Sequence, residues 1–299
     1  MKVFVTGATG YIGSAVVLKL LAAGHTVVGL ARSDEAARKL AAAGAESLPG
    51  DIRDADTIKR AASEADGVIH AVATGTPDGP QADTQAVSAI LEALEGTGKP
   101  FVYSSGIWVL GNTGERVADE ESELDPTPLV AWRPANEKLV LDAAARGVRS
   151  IVLRPAIVYG RGSGIVGDMV AEGRRKGVVR FVGAGENRWP LVHVDDLADL
   201  YLKALEKAPA GTLLLAASGP ALTVREVAEA VAQATGCAGR VESWPIEQAR
   251  ERLGPYADAL ALDQQVSSEK AIKLLDWQPS APTLQAELAA ESSGEGSRP

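Results

Sequence analysis

One cysteine, Cys237, stands in 299 residues. That excludes an intrachain disulfide and a thiolate metal cluster. Positive charge is short as well: 30 Lys and Arg against 39 Asp and Glu leave a formal charge of −9, the wrong sign for a nucleic-acid footprint. No apolar run reaches about 18 residues, so no membrane-spanning helix is expected. The N-terminus enters a strand-like run directly, with no basic leader segment and no cleavage site. These absences leave a cytoplasmic protein that meets small molecules rather than nucleic acid or membrane, with no metal. Internal repeats are missing too. So is any Tyr-x-x-x-Lys, an absence that gains meaning beside the motifs that are present.

Those motifs begin at the N-terminus. Lys2–Thr6 is a β-branched and aromatic run that reads as a buried strand. Gly7, Gly10 and Gly13 follow at G-x-x-G-x-x-G spacing. Ile12, Val16, Val17, Leu20 and Leu21 then recur at helical period, and Gly24 is placed to end that helix. A strand, a glycine turn and a helix start suit a dinucleotide. The turn must be tight, the backbone must approach a pyrophosphate, and the helix N-terminus offers free N–H groups and partial positive charge.

Thr6-Gly-Ala-Thr-Gly-Tyr-Ile-Gly13 resembles the extended short-chain dehydrogenase/reductase family of epimerases, dehydratases and ketone reductases. The resemblance recurs at Gly50-Asp-Ile-Arg-Asp54, Leu153-Arg-Pro-Ala-Ile-Val-Tyr-Gly160 and Val192-His-Val-Asp-Asp-Leu-Ala198. It implies a nicotinamide site that includes Gly7, Thr9, Gly10, Tyr11, Ile12, Gly13, Asp51, Ile52, Ala71, Val72, Ala73, Ser104, Pro155 and Ala156. A homodimer through two helices of the first domain is also implied.

Strand and helix patterns alternate along the first half of the chain, which predicts an α/β fold built on a doubly wound parallel (Rossmann) sheet. Strands are expected at 26–30, 45–48, 67–72, 100–103 and 150–153, and helices at 34–43, 82–94 and near 135–145. Residues 107–127 form a long acidic loop, functional or mobile, whose charges read as a solvated face. Beyond Gly160 the pattern changes. Residues 1–160, completed by 190–217, are expected to hold the dinucleotide. Residues 161–189 and 218–285 form a smaller α/β substrate domain, and 291–299 a disordered tail. Thr223-Val-Arg-Glu226 is a capping box that starts a helix.

The second strand ends in Leu30-Ala31-Arg32-Ser33, where an NAD site usually carries an acidic residue for the ribose hydroxyls. Arg32 can pair with a 2′-phosphate and Ser33 can donate to it, so NADP(H) is expected over NAD(H). In the family, a Tyr transfers the substrate proton, a Lys four residues later holds the ribose, and a Ser or Thr after the fifth strand orients the substrate oxygen. Aligned on Glu137, this chain has Leu129 at the Tyr position and Arg133 at the Lys position; Gly106 takes the Ser position with Ser105 beside it. Leucine transfers no proton, and acid-base help is commonly worth about 10²–10⁴ in rate. Ser105, Arg133 and Tyr159 are the candidate catalytic residues, with Arg133 also on the cofactor ribose. Trp108, Trp132, Trp189, Arg161 and Arg188 border the substrate by resemblance, which suggests a bulky, partly apolar substrate and leaves an anionic one open. Three readings follow, in order: an NADP(H)-linked oxidoreductase for a carbonyl or alcohol with a non-standard proton path, a sugar-nucleotide epimerase or dehydratase, and a non-catalytic NADP(H) sensor.

Overall fold

Seven parallel strands form the centre of the molecule. The structure is a computed structural model that describes residues 1–73 and 75–293. Strands β1 (Lys2–Thr6), β2 (Thr26–Ala31), β3 (Glu46–Pro49), β4 (Gly67–His70), β5 (Pro100–Ser104) and β6 (Arg149–Pro155) are linked by α1 (Tyr11–Ala22), α2 (Asp34–Ala43), α3 (Ala55–Glu64), α4 (Gly79–Leu94) and α5 (Arg133–Asp142). The chain continues through β7 (Ile157–Tyr159), α6 (Gly164–Lys176), β8 (Val179–Val182), β9 (Arg188–Trp189), β10 (Leu191–His193), α7 (Val194–Lys207) and β11 (Thr212–Ala216). It ends with β12 (Leu222–Thr223), α8 (Val224–Ala234), β13 (Val241–Trp244), α9 (Ile246–Leu253), α10 (Pro255–Leu260), α11 (Glu269–Leu275) and α12 (Leu284–Ser293).

The main sheet runs β11-β6-β5-β4-β1-β2-β3 and is parallel throughout. The strand order reverses between β1 and β4, which is where such sheets leave a crevice at their carboxyl ends. Both faces are covered, so the strands read as continuous apolar runs rather than alternating ones. Val3, Val5, Val17, Leu20, Leu200 and Tyr201 pack on one face with α1 and α7. Phe4, Val68, Phe101, Ile58, Val87 and Ile90 pack on the other with α3 and α4. Ser33 caps α2 by accepting from the Ala36 N–H at 3.2 Å, and Gly44 closes it in the left-handed region. The Thr223–Glu226 capping box at α8 is present in both directions.

Several boundaries differ from expectation. β4 ends at His70 rather than at 72, because the chain turns there past Gly7. α5 begins at Arg133 with Pro134 in its first turn, a position that needs no N–H. β10 pairs with β7 in a small parallel sheet of its own, whereas β11 joins the main sheet beside β6. α12 extends through residues 291–293 of the expected tail; the remainder of that tail lies outside the described residues. The acidic loop is tied down rather than merely solvated. Gln264 Nε2 donates to the Ile107 and Gly111 carbonyls at 2.9 and 2.8 Å, and Glu120 accepts from the Leu215 N–H of β11 at 2.9 Å. Among the described residues no helix is long and apolar enough to cross a membrane.

Candidate active site

At the carboxyl ends of β1, β2 and β4 lies a cavity of about 490 Å³. Gly7, Thr9, Gly10, Arg32, Ser33, Ile52, Ala71, Val72 and Ala73 line it. Its floor is built from the glycine turn. Gly7 has φ +70°, and a Cβ there would stand 2.2 Å from the Ala71 carbonyl oxygen. A Cβ on Gly13 would stand 2.0 Å from the Gly7 oxygen. Those two glycines are therefore demanded by the turn itself. Gly10 is different: it is the extended N-cap of α1, makes no side-chain cap, and a Cβ there would come no nearer than 3.2 Å to the Gly7 oxygen. The missing side chain at Gly10 clears the approach to the helix N-terminus, whose first N–H groups have no intrahelical acceptor. The cradle fits a dinucleotide pyrophosphate.

Tyr11 turns away from this turn, and its hydroxyl donates to the Gly160 carbonyl at 2.7 Å. Asp51 is engaged by Arg53, accepting from its backbone N–H and from Nη1, both at 3.0 Å. Arg32 is exposed and makes no hydrogen bond or ion pair among the described residues. Lys39 stands on the same cavity wall, paired with Glu35 at 2.7 Å.

Further along the strand ends, side chains fix one another at β5. Arg133 is 8 % exposed, donates from Nη1 to the Ser104 carbonyl at 2.6 Å, and stacks 5.2 Å from the centroid of the Trp132 ring. The Ser104 hydroxyl pairs with Tyr201 of α7 at 2.5 Å. Arg154 of β6 and Glu137 of α5 form a buried bidentate pair at 2.9 and 2.5 Å, which locks α5 against the sheet. Ser105, next along, has a buried hydroxyl with no hydrogen-bond partner among the described residues.

A buried carboxylate lies behind this end of the sheet. Asp83 of α4 accepts at Oδ2 from Tyr103 (2.7 Å), Trp132 Nε1 (2.9 Å) and Asn136 (2.8 Å), and bonds His70 Nε2 through Oδ1 at 2.8 Å. His70 Nδ1 in turn meets the Thr6 hydroxyl at 2.8 Å. Burial pushes the Asp83 carboxyl up. The His70 hydrogen bond and charge, with Trp132 and Arg133, more than reverse this and hold it well below the usual carboxylate range. This network escaped the sequence reading, although a signal exists. Asp83 shares its helical stripe with buried Ala86, Val87 and Ile90, where an acid needs a reason.

The structure corrects several expectations. Tyr159 is 4 % exposed, its hydroxyl donates to the Pro282 carbonyl at 2.8 Å, and burial foremost pushes its pKa up to about 12. It is a packed tyrosine rather than a free acid. His193 caps α7 by accepting from the Asp195 N–H. Arg161 pairs with Asp195 at 2.6 Å, and Arg188 is held by Asp263 and Glu115. Neither guanidinium stands free for an anionic substrate. The three tryptophans do not share one pocket: Trp132 lines a groove between α3 and α4 with Arg53 and Pro80, whereas Trp189 lines a cavity in the C-terminal part. Trp108 touches the rim of the latter, packing edge-on against Tyr256 at 5.9 Å. No metal-binding group of His, Cys, Asp or Glu occurs among the described residues.

The model of the NAD dependent epimerase/dehydratase family matches residues 3–215. The chain belongs to that family. It is an NAD(P)-dependent enzyme of the extended short-chain dehydrogenase/reductase type. An uncharacterized protein of Schizosaccharomyces pombe is 36% identical over 98% of this chain and 99% of its own length. The 4-hydroxy-2-methyl-3-oxo-4-farnesyl-3,4-dihydroquinoline-1-oxide ketoreductase of Stigmatella aurantiaca is 26% identical over 84% of this chain and 78% of its own. The fold is that of the UDP-glucose 4-epimerase of Thermotoga maritima, solved with UDP-glucose: TM-score 0.82, 24% identity, 99% of each chain covered.

Proposed function

We propose that this family member is an NADP(H)-linked reductase of a carbonyl on a bulky, uncharged small molecule. The observation that carries the reading is the Ser105 hydroxyl, buried and unpartnered among the described residues at the end of β5. A buried hydroxyl without a partner is costly unless a ligand completes it. In this reading Gly7, Thr9, Gly10 and Gly13 form the pyrophosphate cradle together with the backbone of Tyr11 and Ile12, and Ile52, Ala71, Val72 and Ala73 the adjoining wall. Residues 1–160 and 190–217 hold the dinucleotide, and 161–189 with 218–285 hold the substrate. The Stigmatella relative is named for a ketone on a farnesylated dihydroquinoline, itself a bulky carbonyl compound.

The cofactor supplies the hydride when bound. Ser105 donates to the substrate carbonyl oxygen and stabilises the negative charge that grows there. Arg133 holds the β5 end through the Ser104 carbonyl, so Ser105 is presented from a fixed strand terminus. Leucine transfers no proton, so in this reading the proton comes from solvent water. Ser105→Ala is expected to lower kcat by about 10²–10³ with NADPH affinity unchanged, read by steady-state kinetics and a fluorescence titration. Tyr159→Phe is expected to leave kcat within about twofold, since its hydroxyl is engaged elsewhere. An unchanged rate in Ser105→Ala removes the role given to Ser105.

The preference for NADP(H) rests on Arg32, which has no ion pair among the described residues at the end of β2, with the Ser33 hydroxyl beside it. Arg32→Ala is expected to weaken NADPH by about 10- to 100-fold, the worth of a charge-assisted contact, and to leave NADH within about twofold. Equal loss for both cofactors in paired titrations contradicts the assignment. Sugar-nucleotide epimerisation is the weaker reading, because Arg161 and Arg188 are already ion-paired.

A further inference from the structure

The C-terminal part holds a second cavity, of about 220 Å³, walled by α6, β8, β13 and α9–α10. Its lining is mostly apolar and aromatic: Met169, Phe181, Trp189, Trp244, Tyr256 and Leu260 among others. A cavity of roughly 150 Å³ holds benzene, so this one holds an aromatic ring with a short substituent.

Its polar groups argue against an anion. Glu172 is paired with Lys176 and Arg180 with Glu242, while Asp168 has no ion pair among the described residues. The ionisable lining groups, Asp168, Glu172 and Arg180, therefore sum to one negative charge. A diphosphate here meets like charge and no free guanidinium.

One aromatic contact links the cavity to the segment that follows Ser105. Tyr256 packs against Trp108, and Trp108 is three residues past Ser105, hence at most about 11 Å away between Cα atoms. Tyr256 is distinctive among the five tyrosines. The hydroxyls of Tyr11, Tyr103, Tyr159 and Tyr201 are all bonded within the protein. That of Tyr256 has no hydrogen-bond partner among the described residues.

We propose that this cavity is the subsite for the substrate's remote group, taking an uncharged aromatic or short aliphatic group with one hydrogen-bond acceptor and rejecting a nucleoside diphosphate. It rests on the reductase reading above and narrows its substrate class. Trp244 supplies the wall, and Tyr256 supplies the donor that orients the group.

The test is binding, which needs no turnover. The full chain, loaded with NADP⁺, is titrated with 4-(4-methoxyphenyl)butan-2-one, whose ring carries an acceptor separate from its ketone, and separately with UDP, followed by saturation-transfer NMR and tryptophan fluorescence. The ketone should bind and UDP should not. Trp244→Ala should weaken the ketone by about tenfold or more, and Tyr256→Phe by about threefold, with NADP⁺ affinity unchanged in both. Should Trp244→Ala fail to fold, Leu253→Phe fills the same cavity and should block the ketone. UDP binding that these changes abolish, or ketone binding that none of them alters, overturns the subsite. Trp244-dependent ketone binding with no ketone reduced would keep the subsite and overturn the reductase. Undiminished reduction of the ketone by Trp244→Ala and Tyr256→Phe would do the reverse.

Discussion

Replacing Gly10 by alanine is expected to weaken NADPH binding about 100-fold while moving the melting temperature by no more than about 4 °C. The two halves of this expectation have separate causes. Gly10 is extended, with φ −77° and ψ 175°, a conformation any residue adopts. An added Cβ meets only the Gly7 oxygen at 3.2 Å, a contact that a shift of a few tenths of an ångström relieves. Alanine also restricts the unfolded chain, worth about 0.4–1 kcal/mol of stabilisation, which offsets that contact. The methyl group nevertheless stands at the N-terminus of α1, where the proposed cradle brings the pyrophosphate against the backbone. Losing the close approach of two N–H groups costs about 2.7 kcal/mol, or two decades of affinity. Gly7→Ala makes the contrast. There φ is +70° and the Ala71 oxygen lies 2.2 Å from the new atom, so the fold itself should suffer, by about 2–4 kcal/mol. Calorimetry with a parallel NADPH titration separates the two. A Gly10→Ala protein that binds NADPH normally contradicts the pyrophosphate cradle.

Asp83→Leu is expected to cost about 3–5 kcal/mol of stability. The carboxylate is 4 % exposed and takes hydrogen bonds from Tyr103, Trp132, Asn136 and His70. Leucine leaves all of these buried partners without an acceptor. The effect should depend on pH. Asp83 is held below its unfolded value of about 3.9, so its contribution is full above about pH 5 and is lost as pH falls through the depressed folded pKa. The gap between wild type and Asp83→Leu should therefore narrow from pH 7 towards pH 3, which urea unfolding at each pH measures. A gap that does not narrow would mean that the charge of Asp83 contributes nothing. Function should suffer as well, because Trp132 leads directly into Arg133, which holds the Ser104 carbonyl.

The parts of this molecule legible from sequence are those where backbone constraint meets local pattern. Gly7 and Gly13 occupy positions that admit no Cβ, and Arg32 closes a strand whose pattern is plain. The parallel, doubly wound sheet followed from the alternation of elements. Side-chain partners far apart in the chain were not legible. Nothing in the sequence tells that Tyr159 meets Pro282, that Arg188 meets Asp263, or that Glu120 holds β11. The same limit hid His70 with Asp83 and Ser104 with Tyr201, since each pair is made by tertiary packing. The separation of Trp132 from Trp189 has a similar cause, because α5 and β9 lie on different parts of the fold. The absent Tyr-x-x-x-Lys was readable at once. That the Ser105 hydroxyl is buried without a hydrogen-bond partner among the described residues needed coordinates.

The most direct measurement is product formation by the purified full chain supplied with 4-(4-methoxyphenyl)butan-2-one and either NADPH or NADH, with cofactor and alcohol both quantified. The account predicts that NADPH is consumed in step with alcohol formed, and that NADH is at least about tenfold less efficient in kcat/KM. Interconversion of UDP-glucose with no alcohol formed from the ketone would contradict it.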